Sequence, residues 1–227
     1  VFGFVREALI AAVLGAGPVA DAFSAAVRFP NLFRRLFAEG AFNIAFIPLF
    51  AKELEEGGND AARKFGQDVF AVLASWLLLF TGIAMLSMPV LVSTIVAPGF
   101  TDNPEKFDLA VLMTRIMFPY LIAMSLMAML SGILNSMRDY FLAAIAPVLL
   151  NVVLVSVLGT AMYFELSTPS VGIFMAVGVL VSGFLQLGLL IFGLKKVGFR
   201  FKPRKPRLSP AIKRLLSLAA PAALTGG

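Results

Sequence analysis

Seven charged side chains stand within 34 positions of one another near the start of an otherwise apolar chain: Arg6, Glu7, Asp21, Arg28, Arg34, Arg35 and Glu39. Four of them are arginines and none is a lysine. Arginine keeps its charge when desolvated and presents a planar fork of N–H donors that matches phosphate and carboxylate. The chemistry that such a set can perform is therefore the binding of an anion in a poorly hydrated place. A charge at the centre of a membrane helix costs from about 2.5 to over 10 kcal/mol, so such residues face a water-filled cavity, pair with one another or bind substrate. One or two would read as snorkelling arginines, or as a structural ion pair such as Arg6 with Asp21. Seven favour a cavity. Residues 21, 28, 35 and 39 are separated by 7, 7 and 4 positions, which places them within about 40° of one another on a helical wheel. They make a polar stripe about 27 Å long, close to the hydrocarbon thickness of about 30 Å. Arg34 falls about 100° off that stripe. Pro30 and Gly40 can bend the helix and change its phase.

Other chemistries are narrowed by what the chain lacks. It has no cysteine and no histidine, which removes thiol nucleophiles, cysteine or histidine metal sites and imidazole acid–base catalysis. It carries no GxGxxG motif, no P-loop and no pair of carboxylates at a catalytic spacing. No metal or cofactor is expected. Among the remaining polar residues, Arg115 is expected either to line a cavity or to snorkel. Asn135, Asn151 and Gln186 read as interhelical hydrogen bonds. The methionine-rich run 124–129 reads as packing, and Pro119 and Pro147 as tolerated kinks.

The elements that must position these residues follow from composition. The 227 residues are 59% hydrophobic and 14% charged, roughly half the usual charged fraction of about 25%, and the mean hydropathy is +0.92. Soluble globular, disordered and disulfide-rich secreted classes are excluded; an all-α, polytopic membrane protein is implied. The net charge of +6 does not indicate nucleic-acid binding, because nine of the 19 basic residues lie between positions 195 and 214, with no acidic residue among them. Without that segment, 10 basic and 13 acidic residues leave a net charge of −3.

Hydropathy predicts spans at about 1–17, 21–50, 69–97, 109–137, 140–164 and 170–194, with a seventh starting near Pro210. Polar loops are expected at 52–64, 138–139 and 195–209, and on the opposite side at 15–20, 98–108 and 165–169. The first set carries nearly all the loop lysine and arginine, so it is placed in the cytoplasm together with the N-terminus. Residues 1–194 then form a six-helix transmembrane unit, 195–209 a basic cytoplasmic linker, and 210–227 the start of another helix. With Pro203, Pro206 and Pro210, the basic linker is expected to be extended on the inner leaflet and attracted to anionic lipids. The chain opens inside an apolar run and stops as another begins, so a portion of a longer membrane protein is expected.

The run Phe29-Pro30-Asn31-Leu32-Phe33-Arg34-Arg35-Leu36-Phe37-Ala38-Glu39-Gly40-Ala41-Phe42 resembles the signature of the MurJ (MviN) family. Phe4-Val5-Arg6-Glu7, Ala97-Pro98-Gly99-Phe100, Phe118-Pro119-Tyr120 and Pro147-Val148-Leu149-Leu150-Asn151 fit the same resemblance in order. It implies a lipid II flippase of the MOP superfamily, with two six-helix lobes around a central cavity in the bacterial inner membrane. This chain would be the N-terminal lobe plus the start of helix seven. Arg6 and Arg34 would be cavity arginines, and Asp21 an acid that holds an arginine until substrate arrives. Arg28 and Arg35 would assist, and Glu39 would sit near a gate between lobes. The wheel favours Arg35 as the inward residue where the resemblance favours Arg34. Lipid II and the chain's own C-terminal lobe would be partners. Alternatives are another MOP-type exporter of lipid-linked oligosaccharides or drugs, a membrane enzyme acting on polyprenyl diphosphates, and a non-transporting scaffold. The arginine excess argues against cationic drugs, and two isolated acids are too sparse for a metal-dependent enzyme.

Overall fold

A computed structural model describes residues 2–34, 41–199 and 204–225. Every regular element among them is helical: α1 (Phe2–Leu14), α2 (Pro18–Arg34), α3 (Ala41–Leu86), α4 (Met88–Leu91), α5 (Pro104–Met117), α6 (Tyr120–Ser136), α7 (Phe141–Ile145), α8 (Val148–Tyr163), α9 (Thr168–Lys196) and α10 (Pro210–Thr225). Among the described residues, four stretches are long and apolar enough to cross a membrane: Ile44–Leu86, Pro104–Ser136, Phe141–Tyr163 and Thr168–Lys196. The fold is an all-α, polytopic membrane fold.

Proline accounts for most of the breaks inside the expected spans. It removes an N–H and crowds the carbonyl four residues earlier. The expected span 109–137 is interrupted at Pro119, between α5 and α6, and the span 140–164 at Pro147, between α7 and α8. Pro30 does not end α2, which continues to Arg34. Of the expected span 21–50, α2 is described as far as Arg34 and α3 from Ala41 onward; residues 35–40 between them are outside the described set.

Two expected loops prove to be helical. The segment 98–108 is a 3-10 turn (Pro98–Phe100) followed by the start of α5. Asn103 caps that helix, its side chain accepting from the Lys106 N–H at 3.1 Å, and Pro104 takes the first helical position. The polar segment 52–64 lies within α3 and reverses direction at Gly58 (φ 69°, ψ −170°), a conformation essentially restricted to glycine. The Phe46 and Phe65 rings stack 5.9 Å apart, whereas 19 residues of unbroken helix would separate them by about 28 Å. The chain therefore folds back on itself at Gly58. Its polar composition marks a departure from apolar surroundings but does not melt the helix, because Lys52–Glu56 and Asp60–Arg63 pair at helical spacing.

The chain groups into two compact units. One comprises residues 1–32, 81–121 and 147–186, the other residues 33–80, 122–146 and 187–227. In the first, α1 lies against α8. Ala22, Ala26 and Phe29 of α2, Met113 and Met117 of α5, Leu158 of α8 and Met175 of α9 are buried, and Phe29 packs on Phe118 with ring centroids 5.3 Å apart. In the second, Phe46, Phe50 and Phe65 form an aromatic cluster, with Phe50 reaching Phe199 at 6.0 Å.

That last contact ties down the start of the basic segment. After α9, the Phe199 N–H donates to the Leu194 carbonyl at 2.9 Å and the Gly198 N–H to the Lys195 carbonyl at 3.2 Å. Gly198 is at φ +80°, so the helix ends in a Schellman motif. Phe199 is buried. Further on, Arg204 donates to Asp68 at 3.0 Å. Residues 204–209 have no regular structure, and Lys205 and Arg207 are exposed.

Arg115 has a specific structural task. A continuing helix would pair the Met85 carbonyl with the N–H of residue 89, but Pro89 has none. The Arg115 Nε donates to that carbonyl at 3.1 Å and so supplies the bond that the proline cannot. In an apolar environment an unsatisfied carbonyl costs about 1–3 kcal/mol. Arg115→Leu is therefore expected to lower the thermal stability of the full-length protein. The loss should largely vanish in a Pro89→Ala background, where residue 89 regains its N–H. Melting curves of the four proteins of this cycle in detergent measure it, and equal losses in both backgrounds would show that the Met85 carbonyl is not the reason.

Candidate functional site

The first unit contains a cleft of about 370 Å³, at the low end of the range of about 300–1,000 Å³ usual for ligand pockets. Arg6 and Glu7 of α1, Ser24, Arg28 and Asn31 of α2, and Tyr120 at the start of α6 supply its polar lining. Ile10, Phe23, Val27, Met117, Leu154 and Val179 are among its apolar walls. It is an apolar recess with a few convergent polar groups.

α2 delivers its share through helical spacing. Ser24, Arg28 and Asn31 are 4 and 3 residues apart and fall on one face, while Ala22, Ala25, Ala26 and Phe29 are buried in the core. The small alanines permit close packing of the opposite face. Arg28 is exposed and has no ion-pair partner among the described residues.

Arg6 is the better-held cation. Its side chain is 25% exposed. Nε donates to Glu7 Oε1 at 3.2 Å, Nη2 donates to the same oxygen, and Nη1 donates to Asn151 Oδ1 of α8 at 3.1 Å. Glu7 remains 64% exposed. The formal charge of the lining is Arg6 and Arg28 against Glu7, a net of +1. Chemically, the arrangement offers a positive, partly desolvated recess with arginine donors on two different helices, suited to an anionic group.

The structure brings Arg6 and Arg28 together and places Asp21 elsewhere. Asp21 does not line the cleft. Its Oδ2 accepts from Lys106 Nζ of α5 at 2.6 Å, so its partner is a lysine rather than the arginine expected from sequence. Lys106 also sits over the Phe100 ring, 4.1 Å from its centroid. Arg34 closes α2, but its side chain, like Arg35 and Glu39, lies outside the described residues. Arg115 is not part of the lining. Of the three amides read as interhelical, Asn151 is one, through Arg6. Gln186 instead donates to the Ser182 carbonyl one turn back on its own helix, at 3.1 Å.

Sequence reasoning missed Lys106 as the partner of Asp21, Asn151 as the partner of Arg6, and Tyr120, Ser24 and Asn31 as lining. Lys106 was visible only as the one basic residue in its set of loops. The other pairing spans 145 positions and leaves no local signal.

Comparison with known proteins gives a consistent picture. The family model described as lipid II flippase MurJ matches residues 10–227. A probable lipid II flippase MurJ from Rhizobium tropici is 55% identical over 227 residues, covering 100% of this chain and 43% of the relative. Lipid II flippase MurJ from Burkholderia cenocepacia is 39% identical over 227 residues, covering 98% of this chain and 43% of the relative. A solved structure of lipid II flippase MurJ in an inward closed conformation matches with a TM-score of 0.71 at 22% identity, covering 99% of this chain and 44% of that one; this likeness is one of fold. The chain thus spans less than half the length of these relatives.

Proposed function

This chain belongs to the lipid II flippase MurJ family, and on that premise we propose that it takes part in carrying a polyprenyl-diphosphate-linked peptidoglycan precursor from the cytoplasmic to the periplasmic leaflet of the bacterial inner membrane. The observation that carries this reading is the positively charged cleft with Arg6 and Arg28 on separate helices. A diphosphate leaving water needs cationic donors, and the partly desolvated Arg6 and the exposed Arg28 provide them by charge-assisted hydrogen bonds. The cleft is too small for a whole sugar–peptide head, so it takes the diphosphate end. The isoprenoid tail stays in lipid while the head crosses a hydrated path.

Arg34 and Arg35 extend the cationic wall of that path. Asp21 modulates it through its charge, and Glu39 acts near a gate. The remaining length of the family's proteins supplies a second lobe, and rocking of one lobe against the other alternates access. The orientation follows the positive-inside rule. Its support is that the turns at Gly58, at Met137–Tyr140 and after Lys196 fall in one compact unit, while the turns at 15–17, 97–103 and 164–167 fall in the other. The exposed Lys205, Arg207, Lys213 and Arg214 rest against anionic lipids of the inner leaflet.

The test is leaflet-resolved accessibility of the precursor in cells depleted of the full-length protein. Trapping of intact precursor on the cytoplasmic side is expected. A chemically altered precursor would indicate an enzyme and an unchanged leaflet distribution a scaffold, and either would overturn the proposal.

A further inference from the structure

We infer that Asn151 is the positioning residue for Arg6, and that its neutrality keeps this arginine open to a phosphate group. The inference rests on the function proposed above and names the residue that tunes its anion site. A guanidinium has five N–H donors. Glu7 Oε1 takes the one on Nε and one on Nη2, and Asn151 Oδ1 takes one on Nη1. One N–H then remains on each terminal nitrogen, with no partner among the described residues. These two free donors are available to the oxygens of a phosphate.

Glu7 neighbours Arg6 on the same helix and holds the guanidinium along one edge, which leaves the plane free to pivot about that edge. Asn151 comes from α8, the helix against which α1 lies, and supplies the second fixed point. It is not among the residues lining the cleft, whereas its neighbours Leu150 and Leu154 are. Its action on an anion is therefore exerted through Arg6.

Charge is the second part of the inference. Glu7 already offsets Arg6, so the lining keeps only a net charge of +1 through Arg28. An aspartate at position 151 would preserve the shape and the acceptor oxygen, yet it would cancel that remaining charge and tie up a donor that phosphate requires. An amide orients the cation without neutralising it, and this explains a neutral acceptor at a position where a carboxylate would pair more strongly.

The experiment measures equilibrium binding of a short-chain polyprenyl diphosphate, with the neutral polyprenol as reference, to the full-length protein in lipid nanodiscs. Asn151→Asp is expected to weaken diphosphate binding roughly tenfold, the worth of one charge-assisted hydrogen bond, and to leave polyprenol binding unchanged. Asn151→Leu is expected to weaken it by a similar factor through lost positioning, and to add no further loss in an Arg6→Ala background. The decisive arm is Glu7→Gln combined with Asn151→Asp, which moves the single carboxylate from one side of Arg6 to the other and should regain most of the affinity. A merely structural role for Asn151 would not be rescued by a change at Glu7. Undiminished diphosphate binding by Asn151→Asp, or no rescue by the double variant, overturns the inference. If Arg6→Ala itself binds diphosphate normally, the failure belongs to the proposed function instead.

Discussion

Arg6→Ala in the full-length protein is expected to cut precursor transport by about a hundredfold or more while leaving insertion and folding intact. The magnitude follows from the bonds at stake. A bidentate charge-assisted contact to phosphate in a partly desolvated recess contributes about 3 kcal/mol, and about 1.4 kcal/mol is a factor of ten. The fold should tolerate the change because Glu7 is 64% exposed and is hydrated when its partner is removed. Only the half-buried Asn151 side chain loses a donor, at about 1 kcal/mol. Arg6→Lys should recover a small part of the activity, since lysine restores the charge but not the planar fork that engages Glu7, Asn151 and phosphate together. Leaflet-resolved export assays on stably expressed variants make the measurement. Normal export by Arg6→Ala would remove the central support of the proposed function.

The second large effect is structural. Gly172→Leu is expected to prevent stable folding. A Cβ at position 172 of α9 would come within 2.3 Å of Met113 Cε and 2.7 Å of Val19 Cγ1. Met113 Cε is the far end of a flexible side chain and can shift at some cost inside the core, but Val19 is β-branched and stiff and cannot turn its Cγ1 aside as easily. Alanine is about 1 kcal/mol better than glycine inside a helix, yet overpacking costs about 1–3 kcal/mol, so even Gly172→Ala should destabilise. Leucine, with three further carbons aimed into the α2–α5–α9 packing, should abolish a monodisperse product. Thermal melts in detergent check both variants. Trimming Val19 and Met113 to alanine should make the Gly172→Ala change tolerable. A wild-type melting temperature for Gly172→Leu would mean that α9 does not approach α2 and α5 this closely.

Much of this architecture was legible in the order of residues. Apolar runs of helical length located the spans, because each must keep its backbone bonded within itself when water is absent. Proline marked the interruptions at Pro119 and Pro147, since a missing N–H acts locally. The excess of arginine over lysine before residue 36 pointed to an anion, and Arg6 with Arg28 does line one cleft. The polar segment around Gly58 misled for an equally physical reason. Hydropathy reports where a chain meets water, not whether it stays helical there, and the paired charges at helical spacing preserve both arms of α3.

By itself, then, the sequence determined the helical class, the main proline breaks, the lopsided basic segment and the identity of the cations available for chemistry. Only the tertiary structure decided how those cations are used. Arg6 is set by Asn151 across 145 positions, Asp21 is taken by Lys106 across 85, and Arg115 is spent on the carbonyl that Pro89 leaves bare. Periodicity and composition are local properties carried by neighbours along the chain. Which of several equally charged groups pairs with which is fixed by the packing that brings distant helices within about 3 Å, and no local pattern encodes that distance.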